Sequence, residues 1–313
     1  MPPAETPRPT LFPTHAKGMS EPRSLRLAGG RLAALAWGDD QAPTWLALHG
    51  WLDNAASFSR LAPRLVAALG IRVVAIDFAG HGLSRHRPGD YALWDYCHDL
   101  LDACDHLELS RVPLLAHSMG AGVACLAAAA LPERVATLVL LDGLGALTTE
   151  AVDAPAQLRK GLLADRRPLS PAPRYADSET AVMARVVGGA TPIDVETARP
   201  LVARNLETLP DSHVQLRTDA RLLRPSLVRF TPEQVAATLS AMCCPVLLVE
   251  GETGILGERA RAQQARAAVA RLTRRVLPGG HHLHLEPLTV TQVAKVIAAW
   301  HSAERGADKE PGP

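Results

Sequence analysis

Aromatic side chains are scarce in this sequence of 313 residues: Phe, Tyr and Trp make up 4% of it, against 47% apolar residues in all. Any large core must therefore be aliphatic, built from Ala, Val and Leu. An excess of one charge is missing too. Thirty-three Lys plus Arg face 32 Asp plus Glu, a formal charge of +1, which gives no support to nucleic acid or an anionic membrane as the main partner. Cysteines are few and odd in number. Cys97, Cys104, Cys125, Cys243 and Cys244 show neither a disulfide framework nor paired metal-ligand spacing, so buried thiols in a reducing compartment are expected. No apolar run approaches the ~20 residues of a membrane span. The N-terminus has no apolar signal core before a cleavage site. These absences point to a soluble cytoplasmic protein with no membrane span.

What is present has a regular order. Short apolar runs at Trp45–Leu48, Arg72–Ile76, Val112–Ala116, Thr137–Leu141 and Val246–Val249 read as buried strands. Between them, Phe58–Ala68, Ala92–Leu107, Met119–Ala130, Glu258–Arg271 and Thr289–Trp300 read as helices. Such alternation predicts an α/β fold, a parallel sheet with helices on both faces. It is interrupted once. Over residues 144–239 no buried strand is evident; Pro168, Pro171 and Pro173 break the pattern, and Ser178–Val187 and Asp194–Leu206 look helical. Thr231-Pro232-Glu233-Gln234 is a helix start, with a Thr cap, Pro in the first turn and Gln three residues after the Thr. The expected organisation is a core of residues 23–143 and 240–301 with a helical cap, 144–239, inserted after one strand. A cap of this kind encloses a small-molecule site. The Pro-rich leader, residues 1–22, and the polar tail, 302–313, are expected to be loose.

Three motifs carry chemistry. Ala116-His117-Ser118-Met119-Gly120 joins a strand to an Ala-rich helix. This is a nucleophile elbow with Ala in place of the first Gly, a turn that lifts the Ser118 hydroxyl off the sheet at a helix N-terminus. An ordinary Ser N-cap has the same local pattern; the strand–turn–helix context favours the nucleophile. His49-Gly50-Trp51-Leu52-Asp53-Asn54 follows an earlier strand, where a second oxyanion donor belongs. Trp51 would give one backbone N–H and Met119 the other. His49 reads as a structural ring satisfied by backbone; Asp53 and Asn54 form a turn or line the pocket. Gly279-Gly280-His281-His282-Leu283-His284 precedes the last helix, and a His in that loop can reach back to the Ser. His281 is the expected general base and His282 the alternative. Three His in four residues also suit a metal, but no other ligand cluster in the sequence supports one, so neither metal nor cofactor is expected.

These stretches, together with Ser57-Phe58 and Asp77-Phe78-Ala79-Gly80-His81-Gly82-Leu83-Ser84, resemble the serine hydrolase-like proteins of the α/β-hydrolase superfamily. The likeness covers about residues 24–301. It implies an eight-stranded, mostly parallel sheet, a helical cap, no cofactor, and hydrolysis through a covalent acyl-Ser, without implying a substrate. The chain departs from the family pattern at the acid. Many relatives place an Asp three residues after the Gly that follows the strand ending near Val249; that Gly is Gly251, and the position is Gly254. The superfamily's other place for the acid is the end of the strand before the cap, where Leu140-Leu141-Asp142-Gly143 offers Asp142. Asp142 is the preferred acid; Glu252, Glu250 or no acid at all are the alternatives. Asp77–Ser84 is expected to be a structural loop.

The leading expectation is a serine hydrolase acting on a small carboxylic ester or related acyl compound, with Ser118, His281 and Asp142 as its triad. A Ser at the elbow argues against haloalkane dehalogenation and epoxide opening, which this fold performs with an Asp there. A C–C hydrolase or perhydrolase would use the same three residues. A non-catalytic binding protein on the same fold is the rival, and Gly254 is the feature that favours it. The oligomeric state is left open.

Overall fold

The computed structural model describes residues 21–189 and 191–307. The expected leader therefore lies, up to residue 20, outside the described residues, as does the tail from residue 308. In chain order the core begins with β1 (Arg23–Leu27), β2 (Leu32–Trp37), β3 (Thr44–Leu48), α1 (Leu61–Leu69), β4 (Arg72–Ile76), α2 (Asp95–His106), β5 (Val112–His117), α3 (Met119–Ala130) and β6 (Val135–Leu141). An insertion follows, with α4 (Ala154–Asp165), β7 (Arg174–Tyr175), α5 (Ser178–Gly188), α6 (Val195–Asn205), β8 (Leu206–Thr208), β9 (Val214–Leu216) and α7 (Pro232–Ser240). The core resumes with β10 (Val246–Gly251), α8 (Ala260–Ala268), β11 (Leu272–Leu277) and α9 (Val290–Ala307).

The main sheet has eight strands in the order β1-β2-β4-β3-β5-β6-β10-β11. β2 pairs antiparallel with β1 and β4; from β4 onward every pairing is parallel. Both faces are covered, as a parallel sheet requires. Alternate residues of each strand enter opposite cores. Leu46, Val74, Leu114, Leu140 and Leu248 pack with α2 and α3 on one side. Trp45, Val73, Leu115, Val139 and Leu247 pack with α1 and α9 on the other. The Ala-rich α3 (Ala121, Ala124, Ala127 and Ala128, all buried) keeps the first layer thin.

The insertion departs from the helical cap expected over 144–239. Among the described residues it holds, beside four α-helices, a three-stranded antiparallel sheet, β7-β9-β8. These strands are two or three residues long and none is fully buried, so they carry no apolar run for a sequence pattern to reveal. The Thr231–Gln234 capping box forms in both directions at the start of α7. The insertion is latched to the core by motif residues. Trp51 Nε1 donates to the Leu222 carbonyl at 3.1 Å, Asn54 Nδ2 to Leu201 at 2.8 Å, and Arg204 pairs with Asp77 at 2.9 Å. At the other end, α9 runs to Ala307 and so takes in residues 302–307, read from sequence as the start of a loose tail.

Candidate active site

β5 ends at His117, and Ser118 turns the chain straight into α3. Ser118 has φ 52° and ψ −114°, a backbone state that an L residue adopts only when its surroundings impose it. The surroundings are close backbone. A Cβ on Gly120 would run into the Leu48 carbonyl, and one on Gly143 would lie 2.8 Å from Ser118 Cα. Small residues at both places let β3, β5 and β6 pinch the turn. The Ser118 amide donates to Leu141 at 3.2 Å.

Asp142 directly follows β6 with φ 42° and is fully buried. Its Oδ2 accepts from His281 Nδ1 at 2.6 Å, and His281 Nε2 lies 3.0 Å from Ser118 Oγ. Three segments thus meet in one hydrogen-bonded chain. The Asp142 carboxylate also takes the Gly251 amide at 3.3 Å and the Ile255 amide at 2.8 Å. Gly254 explains the departure seen in the sequence: a Cβ there would collide with Asp142 Oδ1. The carboxylate from β6 fills the space beside residue 254, so a side chain at 254 is excluded. The other acids stand elsewhere. Glu252 is exposed. Glu250 is buried and held by Arg266 in two bonds of 2.8 Å and by Arg274 at 3.0 Å.

The His49–Trp51 loop runs alongside Ser118, since a Cβ on Gly50 would come 3.2 Å from Ser118 Cβ. Met119 opens α3, where first-turn N–H groups have no intrahelical acceptor. His49 is fixed by backbone: its Nδ1–H donates to Gly50 at 2.7 Å and its Nε2 accepts from Phe78 at 3.0 Å. Asp77 accepts the amides of Ala55 at 2.7 Å and Leu83 at 2.8 Å, and Ser84 Oγ donates to the Asp77 carbonyl at 2.5 Å. That loop holds itself and, through Arg204, the insertion.

His282 does not reach Ser118's side of His281. Its Nε2 donates to Asp53 Oδ2 at 3.0 Å, and His284 pairs with Ser57 Oγ at 2.9 Å. His117, whose ring lies 4.5 Å from that of His281 between centroids, donates Nε2–H to the His281 carbonyl at 2.9 Å. Burial pushes His117 down to about 4, with the neighbouring His281 adding to the effect. Burial alone would raise the Asp53 carboxyl, but the neighbouring His282 imidazole outweighs it and holds it well below the usual carboxylate range. This buried Asp53–His117–His282 group was not legible in the sequence, because its members come from three separate segments. The run of three His was the only signal.

Fold and site geometry together define an α/β hydrolase. The chain belongs to the alpha/beta hydrolase fold family, whose model matches residues 43–288. Within it, the chain is 34% identical over 274 residues to a serine hydrolase-like protein of Dictyostelium discoideum, covering 82% of this chain and 74% of that one. It is 30% identical over 265 residues to the 2-(acetamidomethylene)succinate hydrolase of Mesorhizobium japonicum, covering 83% and 88%. Among solved structures, a hypothetical protein of Pseudomonas aeruginosa PAO1 is 44% identical and superposes with a TM-score of 0.82, covering 90% of this chain and all of that one. The chain is accordingly a hydrolase that resembles the serine hydrolase-like proteins. Among the described residues no helix is long and apolar enough to cross a membrane.

Proposed function

We propose that the chain is a serine hydrolase that cleaves a small carboxylic ester or related acyl substrate through a covalent acyl-Ser118. The observation that carries this reading is the unbroken hydrogen-bond chain from Asp142 through His281 to Ser118, 2.6 Å and 3.0 Å long. Ser118 Oγ attacks the substrate carbonyl while its proton passes to His281 Nε2. The N–H groups of Trp51 and Met119 receive the oxyanion. His281 then gives the proton to the leaving alcohol. In the second half, a water loses a proton to His281 and attacks the acyl carbon; the acid leaves and Ser118 recovers its proton. Asp142 keeps the Nδ1–H tautomer throughout, so that Nε2 is the acceptor. The insertion serves as the cap, a role supported by its bonds to Trp51 and Asn54 beside the site. A cytoplasmic setting fits five free thiols.

Non-catalytic binding drew its support from Gly254, and the close packing of Gly254 on Asp142 removes that support. C–C or perhydrolase chemistry would use the same three residues. The test is covalent labelling by a fluorophosphonate probe, followed by a panel of p-nitrophenyl esters of graded chain length with 2-(acetamidomethylene)succinate beside them. Wild type should label at one site and turn over the shorter esters, and Ser118→Ala should do neither. Turnover by Ser118→Ala above a hundredth of wild type would remove Ser118 as nucleophile. A wild type that neither labels nor hydrolyses would favour the binding protein.

A further inference from the structure

More imidazole is gathered behind the base than a triad uses. His117 packs against His281, His282 and His284 with ring centroids 4.5, 5.0 and 4.3 Å away. Asp53 is fully buried among them. His282 donates Nε2–H to Asp53 Oδ2 at 3.0 Å. His117 approaches the same oxygen with Nδ1, at 3.5 Å. The hydrogen of His117 sits on Nε2, bonded to the His281 carbonyl. A neutral imidazole has only one N–H, so His117 Nδ1 turns a lone pair toward a carboxylate oxygen. Nδ1 is buried and has no hydrogen-bond partner among the described residues. Two acceptors facing each other in a place of low dielectric repel, and a cation between them reverses the sign.

We propose that Asp53, His117 and His282 form a binding site for one divalent transition-metal ion of the Zn²⁺ class. One ligand atom from each residue lies within 4.8 Å of the other two. The two nitrogen–carboxylate separations, 3.0 and 3.5 Å, bracket the edge of about 3.4 Å of a tetrahedron with metal bonds near 2.1 Å. Two imidazoles and a carboxylate suit Zn²⁺ and its first-row neighbours, and three protein ligands leave a fourth position for water. His117 is already oriented as a ligand: its far nitrogen donates to a backbone carbonyl, which fixes the tautomer and aims Nδ1. His282 ligates by moving its proton from Nε2 to Nδ1, exchanging the bond to Asp53 for one to the ion. Arg185, from α5, competes. Its Nη2 lies 3.6 Å from Asp53 Oδ1, the oxygen turned away from the imidazoles, and its side chain is 21% exposed. It neutralises Asp53 in the ion's place and is itself partly open to solvent.

The site does not depend on the hydrolase reading, and neither does its test. Untagged wild-type protein, stripped with chelator, is titrated with Zn²⁺ by calorimetry and dialysed against Co²⁺ for metal analysis. One ion per chain is expected. Asp53→Asn and His282→Asn should each weaken binding by at least about tenfold, Ser118→Ala should leave it unchanged, and Arg185→Gln should tighten it by removing a like charge. The proposal is overturned by a wild type that takes up no stoichiometric ion, or by ligand variants of wild-type melting temperature that bind as well as wild type. Binding lost in His281→Gln but kept in His282→Asn would put the ion on the triad and overturn it too. Should the ligand variants fail to fold, Co²⁺-loaded wild type still decides by NMR: without paramagnetically shifted ring protons from both His117 and His282, the site is refuted.

Discussion

Asp142 carries four duties on one carboxylate. It accepts from His281, Gly251 and Ile255 and occupies the space beside Gly254. Asn at 142 would keep the shape but offers the imidazole the wrong tautomer, a change worth about 10⁴ in turnover in the serine protease triad. Asp142→Asn should therefore lower kcat of ester hydrolysis by about 10²–10⁴, with the melting temperature within a few degrees of wild type. Glu252→Gln, on an exposed side chain, should leave kcat within a factor of two or so, as surface substitutions do. Equal losses in both variants would sink the assignment. Gly254→Ala tests the packing argument separately. The added methyl would push Asp142 off His281 Nδ1, and steady-state kinetics should show at least about a tenfold loss, since small displacements in an active site cost that much. The motif-borne residues Ser118, His281 and Asp142 were legible as candidates because strand ends and a Gly-rich loop announce them. The reason for Gly254 was not, since it lies in a contact between segments more than a hundred residues apart.

At the scale of elements, β10 shows how a candidate acid can be structural. Glu250 is the penultimate residue of a fully buried strand and is clamped by Arg266 from α8 and Arg274 from β11. Breaking such a buried pair strands the remaining charges at about 3–5 kcal/mol. Glu250→Ala should lower unfolding free energy in urea by about 3 kcal/mol, while turnover per folded molecule stays near wild type. A large kcat loss without loss of stability would return Glu250 to the catalytic machinery. The elements that periodicity revealed were the deeply buried ones: Arg72–Ile76 and Met119–Ala130 agree residue for residue with β4 and α3. The ones it missed have physical reasons. β2 reads Leu-Ala-Ala-Leu-Ala-Trp, and Ala is a poor strand former. β11 lies at the sheet edge and carries Arg274 and Arg275, so no apolar run marks it. α4 holds Pro155 and Gly161 and buries only the glycine, which leaves no apolar stripe.

For the whole molecule, the core and the insertion meet at loops whose histidine rings burial holds neutral. His49 and His81 are fully buried side by side, their centroids 5.0 Å apart, in the loops that carry the Asn54 and Gly80 bonds to the insertion. Burial pushes His81 down to about 3, with His49 adding to the effect; burial likewise lowers His49. Both rings are therefore neutral in the folded chain at pH values where an unfolded chain, with the ordinary value near 6.5, protonates them. A depressed folded value contributes stability that is fully present above pH 6.5 and is lost as the pH falls toward the folded value. Each such ring adds about 1.4 kcal/mol of lost stability per pH unit below 6.5. Urea unfolding at pH 8.5, 7.5, 6 and 5 should show stability level above pH 6.5 and falling below it. His81→Asn, which keeps a small polar group but cannot titrate, should be less stable at pH 7.5 yet show a shallower fall toward pH 5. Parallel pH profiles for wild type and His81→Asn would mean that the acid sensitivity arises elsewhere and that the ring at the junction takes up no proton on unfolding.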